Sequence, residues 1–415
     1  MDYVLAVQAP AYPLAGGRCA TESAFAEHLR QLRLRIGPRF ARLVLIAPSL
    51  TDDEYARLKP GLGELSEADD GVQFVPAYPT SVSRPGFWLH HLRPVWKRSR
   101  DAVRTASIVH SGMSTQLGHP LMAMVNLAGW LAKKPVVFMV DIDFRRHAER
   151  YRRLGSWSLK SYLVNRYLYD PLKWLQCWLA PRMFTLVCLK SASMVKDFGQ
   201  GRPNVRNFYD TVHAEHHVLN ADELAAKEAA ARDASRPLVV GYFGRLAPNK
   251  GMDRAVEAVR LARARGADVR LRLIGAGDCL EALQHQVRDA GLGDAVSFEP
   301  PVAYGAPLFE RLADVHLSVA APLIEDTPRA AFDSMARGIP IVAFDITYFD
   351  DLARASGAVR VTPWPEAGGL AEAFVELAGD RAKLAGMTSA AVAFARDNTQ
   401  DIWLKRRTQW LMELL

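Results

Sequence analysis

The chain has 415 residues, 49% hydrophobic and 23% charged, with a formal net charge of +7. That length exceeds one ordinary core and suits two domains, and the composition excludes a disordered chain. No apolar run reaches the ~18 residues a membrane-crossing helix needs.

Residues 3–8 form the first predicted strand, with no basic and apolar leader before it. A helix is expected over 21–35, with strands at 43–47, 72–75 and 106–110. Residues 119–132 read as a buried helix, followed by strands at 135–140 and 185–189. Short apolar runs alternating with helices indicate a parallel sheet covered on both faces. The alanine-rich stretch 215–232 reads as a helical connector. The alternation then restarts: strands at 237–243, 269–274, 295–298, 315–319 and 340–343, with helices at 252–265, 279–290, 328–337 and 370–378. The fold class is therefore α/β, in two doubly wound halves. Expected boundaries are an N-terminal domain over 1–212, a connector or hinge over 213–235 and a C-terminal domain over 236–397. A terminal helix over 398–415 is expected to pack back on the N-terminal domain. Ligands in such sheets bind beyond the carboxyl ends of the strands.

Two motifs carry chemistry. In the first, a strand ends in Gly244-Arg245, and Lys250-Gly251 opens the next helix. Gly244 allows close backbone approach to a ligand, Arg245 forks onto phosphate oxygens, and Lys250 adds a compact charge. The helix amides point back to the same place. These are the parts of a diphosphate site; the plain alternative is a turn with two solvated cations. The second motif runs from Glu325 to Asp333. Thr327 is the expected N-cap, Pro328 the first helical residue, Gly338 the C-terminal stop, and Pro340 bars continuation. Asp333 then lies about 7.5 Å along the axis from Pro328. Two carboxylates flank a helix N-terminus and suit sugar hydroxyls. Alternatively, Glu325 and Asp326 complement a helix dipole and Asp333 lies on a solvated helix face.

In order and spacing these pieces resemble the retaining GT-B glycosyltransferases of family 4. The resemblance implies two Rossmann-like domains facing across a cleft, with the N-terminal one binding the acceptor and the C-terminal one the donor. It matches Arg245 and Lys250 to the family's diphosphate pair and Gly275-Ala276-Gly277-Asp278 to its glycine turn. Glu325 and Pro328 match the sugar end of an E-x7-E motif, with Asp326 and Thr327 between them. Gly16-Gly17 match a Gly-Gly loop near the donor phosphates, or else form a plain loop. Asn207-Phe208-Tyr209-Asp210 matches the element that ends the N-terminal domain.

Three departures stand out. Asp333 replaces Glu, one methylene shorter. Asp326 replaces Gly, and is among the less penalised substitutes if φ there is positive. Asp141 stands where the family often has a sugar-contacting His; it suits either a sugar or acceptor hydroxyl or the cap of the next helix.

The resemblance implies transfer of a hexosyl unit from a UDP- or GDP-sugar to a hydroxyl, with no cofactor and no metal. Arg245, Lys250, Glu325 and Asp141 are the candidate catalytic residues. Gly16, Gly17, Gly244, Gly275, Asp326, Thr327, Pro328 and Asp333 are the candidate donor contacts. The basic, aromatic segments 84–100 and 145–182 suit an anionic membrane surface and a lipid-linked acceptor, or else a solvated basic face over core aromatics. Scattered Cys19, Cys177, Cys188 and Cys279, without a CxxC pair, favour the cytoplasm, with the inner face of the membrane as the peripheral alternative. Nucleic-acid binding leaves the two motifs unexplained. A weakly catalytic sugar-nucleotide-binding protein and a sugar-nucleotide epimerase of the same fold are the rival readings.

Overall fold

The computed structural model describes residues 2–414, which divide into two compact units. The first comprises residues 2–141, 160–207 and 406–414; the second comprises 142–159 and 208–405.

The strands of the first unit are β1 (Asp2–Ala6), β2 (Ala11–Pro13), β3 (Arg18–Glu22), β4 (Arg42–Ser49), β5 (Leu62–Ser66), β6 (Val72–Pro79), β7 (Ala106–Gly112), β8 (Val136–Val140), β9 (Leu186–Leu189) and β10 (Val205–Asn207). Their order is β10-β9-β8-β7-β1-β4-β2-β3-β5, with β6 also on β4. The pairs from β10 through β1 to β4 and β6 are parallel; β3 is antiparallel to β2 and β5. Central strand β1 is buried along its whole length. Burial on both faces explains why β1, β4 and β8 are apolar runs without alternation. The expected helix over 21–35 begins at Ser23, because residues 18–22 pair as a strand. Gly16 and Gly17, both at positive φ, form the turn between β2 and β3.

The second unit holds β11 (Leu238–Phe243), β12 (Val269–Ile274), β13 (Val296–Glu299), β14 (Leu317–Ala320), β15 (Ile341–Phe344) and β16 (Val359–Thr362). All its pairs are parallel, in the order β13-β12-β11-β14-β15-β16. Counted from β11 this is 3-2-1-4-5-6, the doubly wound order in which the strand sequence reverses between the first and fourth strands. Helices Met252–Ala264 and Ala367–Gly379 bury Val256, Val259, Leu370 and Phe374 in its core.

The units depart from the expected boundaries at three places. The connector helix Ala221–Arg232 belongs wholly to the second unit, where the Lys227 ammonium donates to the carbonyls of Ala313 and Val315 at 2.6 and 2.7 Å. The terminal helix Gln400–Met412 is shared, with the division after Lys405. Residues 142–159 leave the first unit's chain and pack in the second. The basic segment 145–182 is therefore not one surface: Arg150 is buried in the second unit, and Lys173 is buried beside Asp170 in the first.

Candidate functional site

The site lies at the carboxyl ends of β11, β12 and β14, where three turns interlock. Gly244, at φ 140°, donates from its N–H to the Ile274 carbonyl, and Leu246 donates to Ala276. A Cβ on Gly275 would sit 1.9 Å from the Gly244 oxygen, and one on Gly277 would sit 2.3 Å from the Leu246 oxygen. A Cβ on Gly251 would meet the Ala321 oxygen at 2.0 Å. The glycines thus let backbones touch where side chains have no room. The Tyr242 hydroxyl donates to the Arg245 carbonyl at 2.8 Å and steadies the turn.

Two cavities flank this turn. One, of about 320 Å³, sits between β11 and β14, at the reversal of strand order. Gly244, Arg245, Lys250, Asp326, Pro328 and Arg329 line it, with Phe349 and the apolar backs of the strands. Lys250 Nζ lies 2.5 Å from Asp326 Oδ2. Arg329 is a third cation, which the motif reading passed over because it lies inside the expected helix. The second cavity, of about 420 Å³, is lined by Phe243, Gly244, Gly275, Pro301, Val302 and Tyr304. One cavity is cationic and the other largely apolar with one phenol, and they share Gly244 and Arg245. Such a pair suits a diphosphate joined to a flat base.

The second motif differs in detail from its sequence reading. Its helix is Ala330–Ala336, and Thr327 makes no side-chain cap. Asp326 Oδ1 instead accepts from the Thr327 N–H at 2.9 Å, so the chain turns before the helix starts. Asp326 is not among the described residues at positive φ, so the glycine usual there is replaced without backbone strain. Gly338, at φ 65°, ends the helix as expected.

Asp333 is buried, not on a solvated face. It accepts from the Tyr304 hydroxyl at 2.9 Å, and burial pushes its pKa up to about 6. Tyr304 thus extends the shorter carboxylate toward the second cavity. Glu325 is also buried, and Arg150 Nη1 lies 3.2 Å from its Oε1. Burial pushes Glu325 up to about 7, with Arg150 opposing the shift. Arg150 has no signature of its own in the sequence. It lies far from Glu325 along the chain, in a basic run that suggested a surface. Gly16, Gly17 and Asp141 belong to the first unit, where all three are exposed.

The whole chain has the GT-B glycosyltransferase fold. It superimposes on the structure of Anabaena Alr3699/HepE in complex with UDP, covering 100% of both chains with a TM-score of 0.63 and 16% identity. Residues 237–380, which include the site just described, match the family described as glycosyl transferases group 1. A GDP-mannose-dependent alpha-(1-6)-phosphatidylinositol monomannoside mannosyltransferase of Mycolicibacterium smegmatis is 29% identical over 186 residues, 43% of this chain and 48% of that protein. The amylovoran biosynthesis glycosyltransferase AmsK of Erwinia amylovora is 29% identical over 170 residues, 39% of this chain and 41% of that protein. These matches span less than half the length of either relative.

Proposed function

We propose that the chain is a retaining, metal-independent hexosyltransferase. It moves a hexosyl unit from a UDP- or GDP-sugar to a hydroxyl of a lipid-linked glycan, glycolipid or cell-surface polysaccharide. The observation that carries this reading is the cavity at the strand reversal, into which Arg245, Lys250 and Arg329 converge beside glycine backbone. As the glycosidic bond to the leaving diphosphate breaks, negative charge grows on the phosphate oxygens. Fixed cations there stabilise the transition state more than the ground state. Lys250 exchanges Asp326 for phosphate when the donor binds. Glu325 orients the sugar, and Asp333 with Tyr304 receives the ribose hydroxyls. The leaving phosphate takes the acceptor's proton as the hydroxyl attacks from the same face, so the anomeric configuration is kept.

The relatives favour GDP-mannose in one case, while a neighbour in fold holds UDP, so both bases stay within the proposal. Acceptor recognition falls to the first unit. Trp88 and Leu89 are exposed on its segment 84–100, and Tyr167, Leu168, Trp174 and Leu175 on 160–182. With the lysines and arginines between them they suit docking on an anionic bilayer. No helix among the described residues is long and apolar enough to cross one.

The test is transfer from a panel of UDP- and GDP-hexoses to lipid-linked acceptors. Arg245→Ala and Lys250→Ala should each lower turnover at least ~100-fold, and NMR of the product's anomeric proton should show the donor's configuration. Near-normal turnover in both variants, or an inverted product, contradicts the proposal.

A further inference from the structure

Glu325 is held by two elements of the second unit. The backbone of Thr347, at the start of helix Thr347–Ser356, faces its carboxylate and favours its charged form. Helix His147–Arg153 presents Arg150 to the same group. That helix has only seven residues and is fixed by its surroundings. Arg145 forks onto Asp143 at the helix entry, and Tyr151 stacks on Trp157 with ring centroids 4.6 Å apart. Arg150 itself is anchored on its far side. Its Nη2 donates to the Asp345 carbonyl at 2.7 Å, and its guanidinium lies 5.2 Å from the Trp364 ring centre.

The near side is incomplete. Arg150 Nη1 and Glu325 Oε1 are both buried and 3.2 Å apart, yet neither has an aligned hydrogen-bond partner. Buried polar atoms are rarely left so, and each one is costly. The pair is therefore held by charge and by its surroundings, so the Arg150 guanidinium fixes where the carboxylate sits. The next residue, Asp326, lines the cationic cavity, which places this pair beside the donor site.

We propose that Arg150 is a positioning residue for donor-sugar recognition: it holds the Glu325 carboxylate in place at the edge of the cationic cavity, where Glu325 orients the sugar. The inference rests on the donor-site reading above. The charged groups facing Glu325 are Arg150 and Arg146, which favour its ionised form, and Asp143, which opposes it. Asp345 lies behind, paired with Arg146 at 3.6 Å. Glu325 already sits near pH 7, because burial outweighs Arg150. Removing the guanidinium therefore raises its pKa further, so at pH 7 the carboxyl is protonated and at higher pH it recovers its charge.

Calorimetric titration of Arg150→Ala and Arg150→Lys tests this, using UDP, GDP, UDP-glucose, UDP-galactose and GDP-mannose at pH 7 and pH 9. Arg150→Ala should lose at least ~10-fold in affinity for the best nucleotide sugar at pH 7. It should keep its affinity for the free nucleotide, and the loss should shrink at pH 9. Arg150→Lys, which keeps the charge and a folded site, should recover most of the affinity at pH 7. An equal loss at both pH values, an equal loss for nucleotide and nucleotide sugar, or no loss overturns the positioning role. A wild-type protein with no affinity for either nucleotide overturns instead the donor reading beneath it.

Discussion

Gly275 shows how tightly the donor turn is built. Its backbone, at φ 155°, lies against the Gly244 carbonyl, and an added Cβ would overlap that oxygen. Gly275→Ala should cost about 1–3 kcal/mol in chemical denaturation, because the two turns must separate, and nucleotide affinity should fall with it. Wild-type stability would show that the turns yield freely. Gly244, Arg245, Lys250 and Gly275 were legible in the sequence because each turn is local: a strand, a glycine and a cation at fixed spacing determine where the groups go. Arg329 and Tyr304 were not, because their positions depend on where a helix begins and on a loop from another part of the sheet. The N-cap assigned to Thr327 failed for a similar reason. Asp326 takes up the Thr327 N–H and turns the chain first, and the helix starts only at Ala330, with no side-chain cap.

At the scale of elements, the apolar runs located the central strands because strands buried on both faces need no polar alternation. Strands β2, β3, β5, β10 and β16 are not legible in the sequence. They are short, and β3 carries exposed polar ends, so their pairing rather than their composition defines them. The connector helix was recognised from its alanines, but not its anchorage. Lys227 reaches the carbonyls of Ala313 and Val315 beyond the end of helix Ala306–Arg311. Lys227→Met should destabilise the second unit by about 1–3 kcal/mol, since the carbonyl of buried Val315 loses its donor. Equilibrium urea unfolding measures this, and an unchanged midpoint would mean that water replaces the ammonium. Segment 145–182, read as one basic, aromatic stretch, is divided between the two units. Residue type alone does not show that Arg150 is buried against Glu325 while Arg152 and Arg153 stay exposed, or that Tyr151 stacks on Trp157.

At the scale of the molecule, both units are α/β, one with a mixed sheet and one with a parallel sheet, and each chemical task follows from where the cations and aromatics lie. The first unit's exposed Trp88, Tyr167 and Trp174 should bring the protein to vesicles containing anionic lipid. Sedimentation with such vesicles should decrease with salt but not vanish, because the apolar contacts are not screened. Absence of binding at low salt contradicts membrane docking and leaves the donor site untouched. The central claim is that the second unit holds a nucleoside diphosphate between β11 and β14. Its most direct test is calorimetric titration of UDP and GDP into the wild type and into the Arg245→Ala/Lys250→Ala double variant. Saturable one-site binding of at least one nucleotide is expected, with roughly 100-fold weaker binding to the double variant, because two charge-assisted contacts to phosphate are lost. No binding of either nucleotide to the wild type, or equal binding to both proteins, would contradict it.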